Sequence, residues 1–184
     1  MKFVPQVIPD IVLIEPTLHG DDRGYFSETF RQDLFNEAIG RDINFIQDNE
    51  SKSLKGVLRG LHYQVPPFSQ SKLLKVIEGS VLDVVVDIRK SSPTFGQHLA
   101  IELSVDNKYQ LFVPKGFAHG FVVLSDVATF TYKVDSYYAP EHERGIAFND
   151  QNLKINWQLK PEFFKLASKD LNHPNFTNAQ DFFD

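Results

Sequence analysis

The chain has no cysteine among its 184 residues. Disulfides, thiolate metal ligands and a thiol nucleophile are therefore excluded. An excess of positive charge is missing too: 19 Lys and Arg stand against 24 Asp and Glu, a formal net charge of −5. No global basic field exists to hold nucleic acid, so a phosphate-bearing ligand needs a local cluster of Arg and Lys. Long apolar runs are absent. The opening "MKFVPQVIPDIVLIEP" holds only the short run "IVLI", with Pro5 and Pro9 ahead of it, and lacks the h-region of a secretory signal. Nothing approaches the roughly 20 apolar residues of a membrane span. The expectation is a cytoplasmic protein with no membrane or nucleic-acid partner. There is no repeat, low-complexity tract or Gly/Ser linker, and the length suits one domain over residues 1–184.

What the chain does have is phenylalanine, 17 residues of it, and strand patterning. Aromatic side chains favour strands and wall ligand pockets. In "SVLDVVVDIRK" Leu82, Val84, Val86 and Ile88 share one parity, while Asp83, Val85, Asp87 and Arg89 take the other. That is the period of a half-buried strand. Turn signals at Glu78-Gly79, Asp106-Asn107 and Ser125-Asp126 separate similar runs and predict hairpins there. Helix is scarce. "RQDLFNEAIGR" predicts one short helix stopped by Gly40, and "PEFFKLASKDL" a second with Pro161 in its first turn. The expected fold is all-β: a jelly-roll sandwich or barrel, cupin-like, with a few short flanking helices.

A jelly roll with histidines raises the question of a metal. The first cupin motif, G-x5-H-x-H-x3,4-E-x6-G, is matched at Gly56, His62 and Gly79, but Gln64 replaces the second His, Lys72 the Glu, and the spacer before Lys72 is lengthened. The second motif, P-x-G-x2-H-x3-N, is matched at Pro114, Gly116 and His119 and ends at Val123. A divalent ion wants three or four N or O ligands and no ammonium beside it. Metal-free chemistry in the same cavity is expected, and a metal-dependent cupin enzyme fails on ligand count.

Seven ordered blocks carry a resemblance that spans nearly the whole chain. They are "HGDDRGYFSETF", "FIQDNESKS", "GVLRGLHYQ", "SKLLKVIEGSVLDVVVDIRKSSPTFG", "VPKGFAHGFVVL", "FTYKVDSYYAPEHERGIAFND" and "ASKDLNHP". Together they resemble the dTDP-4-dehydrorhamnose 3,5-epimerases. The resemblance implies a dTDP-linked 4-keto-6-deoxyhexose substrate, proton removal and return at C3 and C5 through an enolate, and no cofactor. It also implies a homodimer that exchanges N-terminal strands. The departures, Glu50 and Phe148, touch no catalytic position.

In residue terms the resemblance makes His62 the base, Lys72 the enolate stabiliser, Tyr132 the proton donor and Asp170 the carboxylate that pairs with the base. Each has a plainer reading beside it. His62 and Tyr132 suit a packed core, and by spacing alone Asp170 is a surface residue on a C-terminal helix. Lys72 has independent support, because the cupin position that it fills points into the barrel. The resemblance assigns Arg23, Arg59 and Lys169 to the diphosphate, and Phe26 and Tyr138 to the sugar and thymine. Glu28, Gln47, Asn49, His119 and Glu143 become polar contacts. Each of these alone reads as an ordinary surface or turn residue. Two further readings stay open: a relative that inverts only C3 or only C5, which the same residues would serve, and a non-catalytic sugar-binding jelly roll. The latter has no use for a base, a Lys and a Tyr acid together.

Overall fold

The computed structural model describes residues 1–184. Its strands in chain order are β1 (Lys2–Pro5), β2 (Val12–Glu15), β3 (His19–Asp21), β4 (Gly24–Phe26), β5 (Gln47–Leu54), β6 (Leu58–Gln64) and β7 (Lys72–Glu78). They continue as β8 (Ser80–Asp87), β9 (His98–Ser104), β10 (Gln110–Val113), β11 (Phe117–Val123), β12 (Val127–Val134) and β13 (Glu143–Gly145), with one helix, α1 (Gln32–Ile39). One sheet has the order β1-β2-β10-β7-β12-β5, a second β13-β6-β11-β8-β9, and β3-β4 forms a separate hairpin. Every pairing between these strands is antiparallel. This is the expected cupin-like jelly roll. No helix is long and apolar enough to cross a membrane.

The three expected hairpins are corrected by this topology. The turns at Gly79, Asp106-Asn107 and Ser125-Asp126 join β7 to β8, β9 to β10 and β11 to β12, and each takes the chain from one sheet to the other. Strands joined across such a corner face each other through the core instead of sharing a ladder. Between the sheets lies an apolar core that includes Leu74, Val76, Val81, Val85, Leu103, Phe121 and Phe130.

β8 is also not half-buried. Its residues from Val81 to Asp87 are all buried. Val81 and Val85 face the inter-sheet core, while Leu82, Val84 and Val86 pack outwards under Leu153, Trp157 and the C-terminal aromatics Phe164, Phe176, Phe182 and Phe183. The tail from about residue 146 therefore covers the outer face of the second sheet. Helix α1 does the same for the first sheet, burying Phe35 against Phe112, Leu73 and Ile14. It ends where expected, with Gly40 as a left-handed cap.

The second expected helix is a correction as well. Only Pro161–Phe163 makes a single 3₁₀ turn. Beyond it the chain runs alongside β6, with Leu58 N–H donating to Lys165 O at 3.1 Å and Lys165 N–H to Gly56 O at 2.8 Å. Backbone pairing to the sheet and burial of Phe164 and Leu166 outweigh local helix preference there. Asp170 consequently lies in a turn, buried while its neighbours Ser168, Lys169 and Leu171 stay exposed, and not on an exposed helix.

Candidate active site

The polar end of the sandwich interior is built by strand parity. Lys72 shares the face of Leu74 and Val76, Tyr132 that of Phe130, and His119 that of Phe121 and Val123, all members of the inter-sheet core. Inward positions that carry Val, Leu or Phe at one end of the sandwich carry Lys, Tyr and His at the other.

β6 solves a harder problem. On a regular strand Arg59 and His62, three positions apart, would face opposite sides. Its pairing with β11 slips between them, with His62 opposite His119 and Arg59 opposite Phe121. Three steps on β6 thus match two on β11, a β-bulge. Both side chains therefore line the same cavity. Gly60 lies in the bulge at φ 120°, where a Cβ would stand 2.6 Å from the Cα of Gly120. Only glycine fits there.

The cavity is about 660 Å³ and is lined by Gln47, Asn49, Arg59, His62, Lys72, Tyr132, Tyr138, Glu143, Lys169 and Asp170, among others. A chamber of about 110 Å³ brings in His119, Ser51, Phe121 and Phe130. Arg59, His62, Lys72 and Tyr132 line both spaces.

His62 Nε2 lies 2.6 Å from Asp170 Oδ1, and Asp170 is buried. Nε2–H donates to the carboxylate, which leaves Nδ1 as the nitrogen that can accept a proton. Burial works to raise the Asp170 pKa. The hydrogen bond from His62 outweighs it, together with Lys169 and the two imidazoles His62 and His173, which are protonated in the acid range where a carboxyl titrates, and the carboxyl is held below its ordinary value. Burial pushes Lys72 down to about 8, against the opposing pull of Asp83 and Glu143. Burial also raises Tyr132, with Arg59 opposing, so the phenol stays protonated.

A hydrogen-bonded cluster lines the more exposed side of the cavity. Lys169 Nζ donates to both Glu143 oxygens at 3.1 and 2.9 Å, and Tyr138 OH to Oε2 at 3.2 Å. Deeper, His119 Nε2 donates at 2.8 Å to Asp83 Oδ2, a carboxylate fully enclosed in the core whose Oδ1 has no partner.

The cupin metal positions are otherwise engaged. Gln64 Nε2 donates to Phe68 O at 2.6 Å, and its Oε1 accepts from Ala139 N–H at 2.7 Å, so this side chain clips two loops together. One group of three possible ligands does converge, His62, Asp170 and His173, with donor atoms within 4.8 Å of one another. Its 2.6 Å contact between His62 and Asp170 is a hydrogen-bond length. Two ligands on one tetrahedral zinc stand about 3.3 Å apart, given zinc bonds of roughly 2.0–2.1 Å. The pair would have to separate to admit an ion.

The family model for dTDP-4-dehydrorhamnose 3,5-epimerase matches residues 5–178. The chain belongs to this family. A dTDP-4-dehydrorhamnose 3,5-epimerase of Shigella flexneri is 50% identical over 182 residues, 99% of each chain. The crystal structure of the enzyme of that name from Elizabethkingia anophelis superposes with a TM-score of 0.95 at 47% identity, covering 99% of each chain. A dTDP-6-deoxy-D-glucose-3,5-epimerase of Legionella pneumophila, solved with dTDP-4-keto-L-rhamnose, gives 0.93 at 46% identity over 97% of this chain and 94% of that one. Membership makes the protein a carbohydrate epimerase, an isomerase.

Not every residue that the sequence nominates lines these spaces. Arg23 and Phe26 lie on the β3–β4 hairpin and Glu28 just after it, all exposed. Arg23 is spent on Asp21, with Nη2 at 2.5 Å from Oδ2. Phe26 is 69% exposed and borders a separate groove with Tyr25, Lys75 and Lys108. Two groups beside the site, buried Asp83 and partly buried His173, escape the sequence reading. Asp83 carried a usable signal, being a carboxylate among inward-facing valines. His173 carried a weaker one, its three-residue spacing from Asp170.

Proposed function

We propose that this epimerase converts dTDP-4-dehydro-6-deoxy-D-glucose to dTDP-4-dehydro-L-rhamnose, with His62 as base. The observation that carries the reading is the meeting of three groups in one cavity: an imidazole backed by a buried carboxylate, a buried ammonium and a protonated phenol. The C4 ketone acidifies the C3 and C5 protons. His62 Nδ1 takes one of them, and the C–H electron pair moves into a C=C bond as the carbonyl pair shifts to oxygen. Lys72 donates to that enolate oxygen, the point where charge develops. Tyr132 gives its proton to the opposite face of the carbon, which inverts the centre. The resulting phenolate and imidazolium return to their starting states by exchange with solvent. Asp170 balances the imidazolium in the interval and fixes the ring.

Arg59 and Lys169 suit the diphosphate, because cationic forks and ammonium groups bind phosphate oxygens by charge-assisted hydrogen bonds. Tyr138 offers a half-exposed ring for thymine or sugar, and Gln47, Asn49, His119 and Glu143 supply polar contacts. The position of Arg23, Phe26 and Glu28, exposed and away from their own cavity, supports a homodimer in which each hairpin serves the partner's site. Sedimentation at micromolar concentration tests the dimer. Turnover of dTDP-4-dehydro-6-deoxy-D-glucose in D2O, followed by NMR, tests the reaction. The rhamnose-configured product with deuterium at both C3 and C5 is expected, and label at one carbon alone would make the protein a single-centre epimerase.

A further inference from the structure

The buried carboxylate has a second imidazole beside it. His173 Nε2 lies 3.6 Å from Asp170 Oδ1, the same oxygen that His62 holds at 2.6 Å. The two imidazoles meet edge to face, with ring centroids 5.3 Å apart. His173 Nε2 is itself buried and has no hydrogen-bond partner. A buried polar atom left unpaired is costly, and native structures keep few of them. Here the separation from Asp170 Oδ1 exceeds ordinary hydrogen-bond length by roughly half an ångström.

The opposite face of the ring explains a glycine. A Cβ on Gly145 would lie 2.4 Å from Cε1, Nδ1 and Nε2 of His173 alike, so the imidazole lies flat on the Gly145 Cα. Gly145 is the register partner of His62 across β13 and β6. Glycine at this position serves no turn: it makes room for His173 directly beside the base. His173 lines neither space of the cavity.

We propose that His173 is a positioning residue, a neutral imidazole that donates Nε2–H to Asp170 Oδ1 and holds that carboxylate on His62. Neutrality follows from its surroundings. Burial and the neighbouring His62 and Lys169 lower its pKa, against the pull of Asp170 and Glu143. A carboxylate with one anchored partner can swing, whereas one gripped from two sides presents a fixed oxygen to the base. The role deepens the epimerase reading and rests on it only for its kinetic consequence.

The test has a substrate-free arm and a kinetic arm. In the wild type the short His62–Asp170 bond should give a far-downfield, slowly exchanging imidazole proton resonance. His173→Ala should broaden that resonance into the solvent signal, and His173→Gln, which keeps an N–H donor, should retain it. Gly145→Ala, which crowds the ring, should resemble His173→Ala. In turnover, His173→Ala should lower kcat roughly tenfold or more with KM little changed, since hydrogen bonds to charged groups carry about that weight. His173→Gln should recover most of the loss. If His173→Ala fails to fold, His173→Phe keeps a flat ring over Gly145 without the donor. A folded Ala or Phe variant with resonance and kcat unchanged overturns the proposal and leaves His173 as packing. Loss of the resonance in a protein that does not turn over the dTDP sugar would instead sustain the positioning role and overturn the substrate assignment.

Discussion

Two imidazole–carboxylate pairs stand side by side on neighbouring strands, with His62 and His119 in direct register. Each directs Nε2 at an aspartate, at 2.6 and 2.8 Å. They differ in how they are built. Asp83, the partner of His119, comes from β8, the next strand of the same sheet. Asp170, the partner of His62, comes from the C-terminal tail, 108 residues away in sequence. They differ also in access: the His62 side chain is 19% exposed and lines both spaces of the cavity, while that of His119 is 8% exposed and lines only the inner one. The same bond thus serves two ends. One pair reaches the open cavity with a ring nitrogen to spare, and the other stays enclosed, where its negative charge supports Lys72.

Breaking the first pair should cost most. His62→Ala should lower kcat about 10²–10⁴-fold with little change in substrate affinity, because a positioned base acts in the transition state. Steady-state kinetics checks this, and retention of more than about a tenth of the activity would remove His62 from the role. Asp170→Asn should do less, about 10–100-fold in kcat, because the imidazole remains and only its orientation and counter-charge are lost.

The enclosed pair should respond more mildly and through pH. Asp83 holds the Lys72 pKa up against burial, and even so it stands at about 8. In Asp83→Asn that support is gone, so the pKa falls further and a larger share of Lys72 is neutral at any given pH. If the ammonium form is the active one, the alkaline limb of the kcat profile should move to lower pH. Activity near pH 6 should change by less than about tenfold. An unmoved alkaline limb would detach Asp83 from Lys72. The smallest effect expected is none: a chelator should leave activity intact, since Gln64 is occupied in clipping loops and Lys72 stands where a ligand carboxylate would be. Activity lost to chelator and restored by one divalent ion would overturn the metal-free mechanism.

Much of this was written locally in the chain. Alternation marked the strands, Gly40 marked the end of α1, and the cupin position that Lys72 fills pointed into the barrel. Partnership across the fold was not legible. A Gly or Asp-Asn turn reads alike whether the next strand pairs back or crosses to the other sheet. The outer face of β8 looks half-exposed until a tail some 60 residues later covers it with aromatics. Arg59 and His62 share a cavity only because the ladder slips at Gly60, and strand periodicity alone would have separated them. The resemblance supplied the pairing of His62 with Asp170. The second imidazole on that carboxylate emerged only when the tail was seen in place.

That tail ties the chemistry to the edge of the fold's stability. It is held by Ala147 N–H on Pro174 O, Lys90 N–H on Phe183 O and Phe183 N–H on Ile88 O, and by its aromatic side chains on β8. The two sheets and the core between them owe it no ladder that they need for closure. A chain end of this kind opens at lower free energy than the strands beneath it. Each such opening withdraws Asp170 and His173 together, bares the outer face of β8, and leaves the strand ladders paired around an unsupported base. On gentle heating, catalysis should therefore fail while the sheets remain intact, so that the enzyme has a working temperature set by its last forty residues and a melting temperature set by the rest.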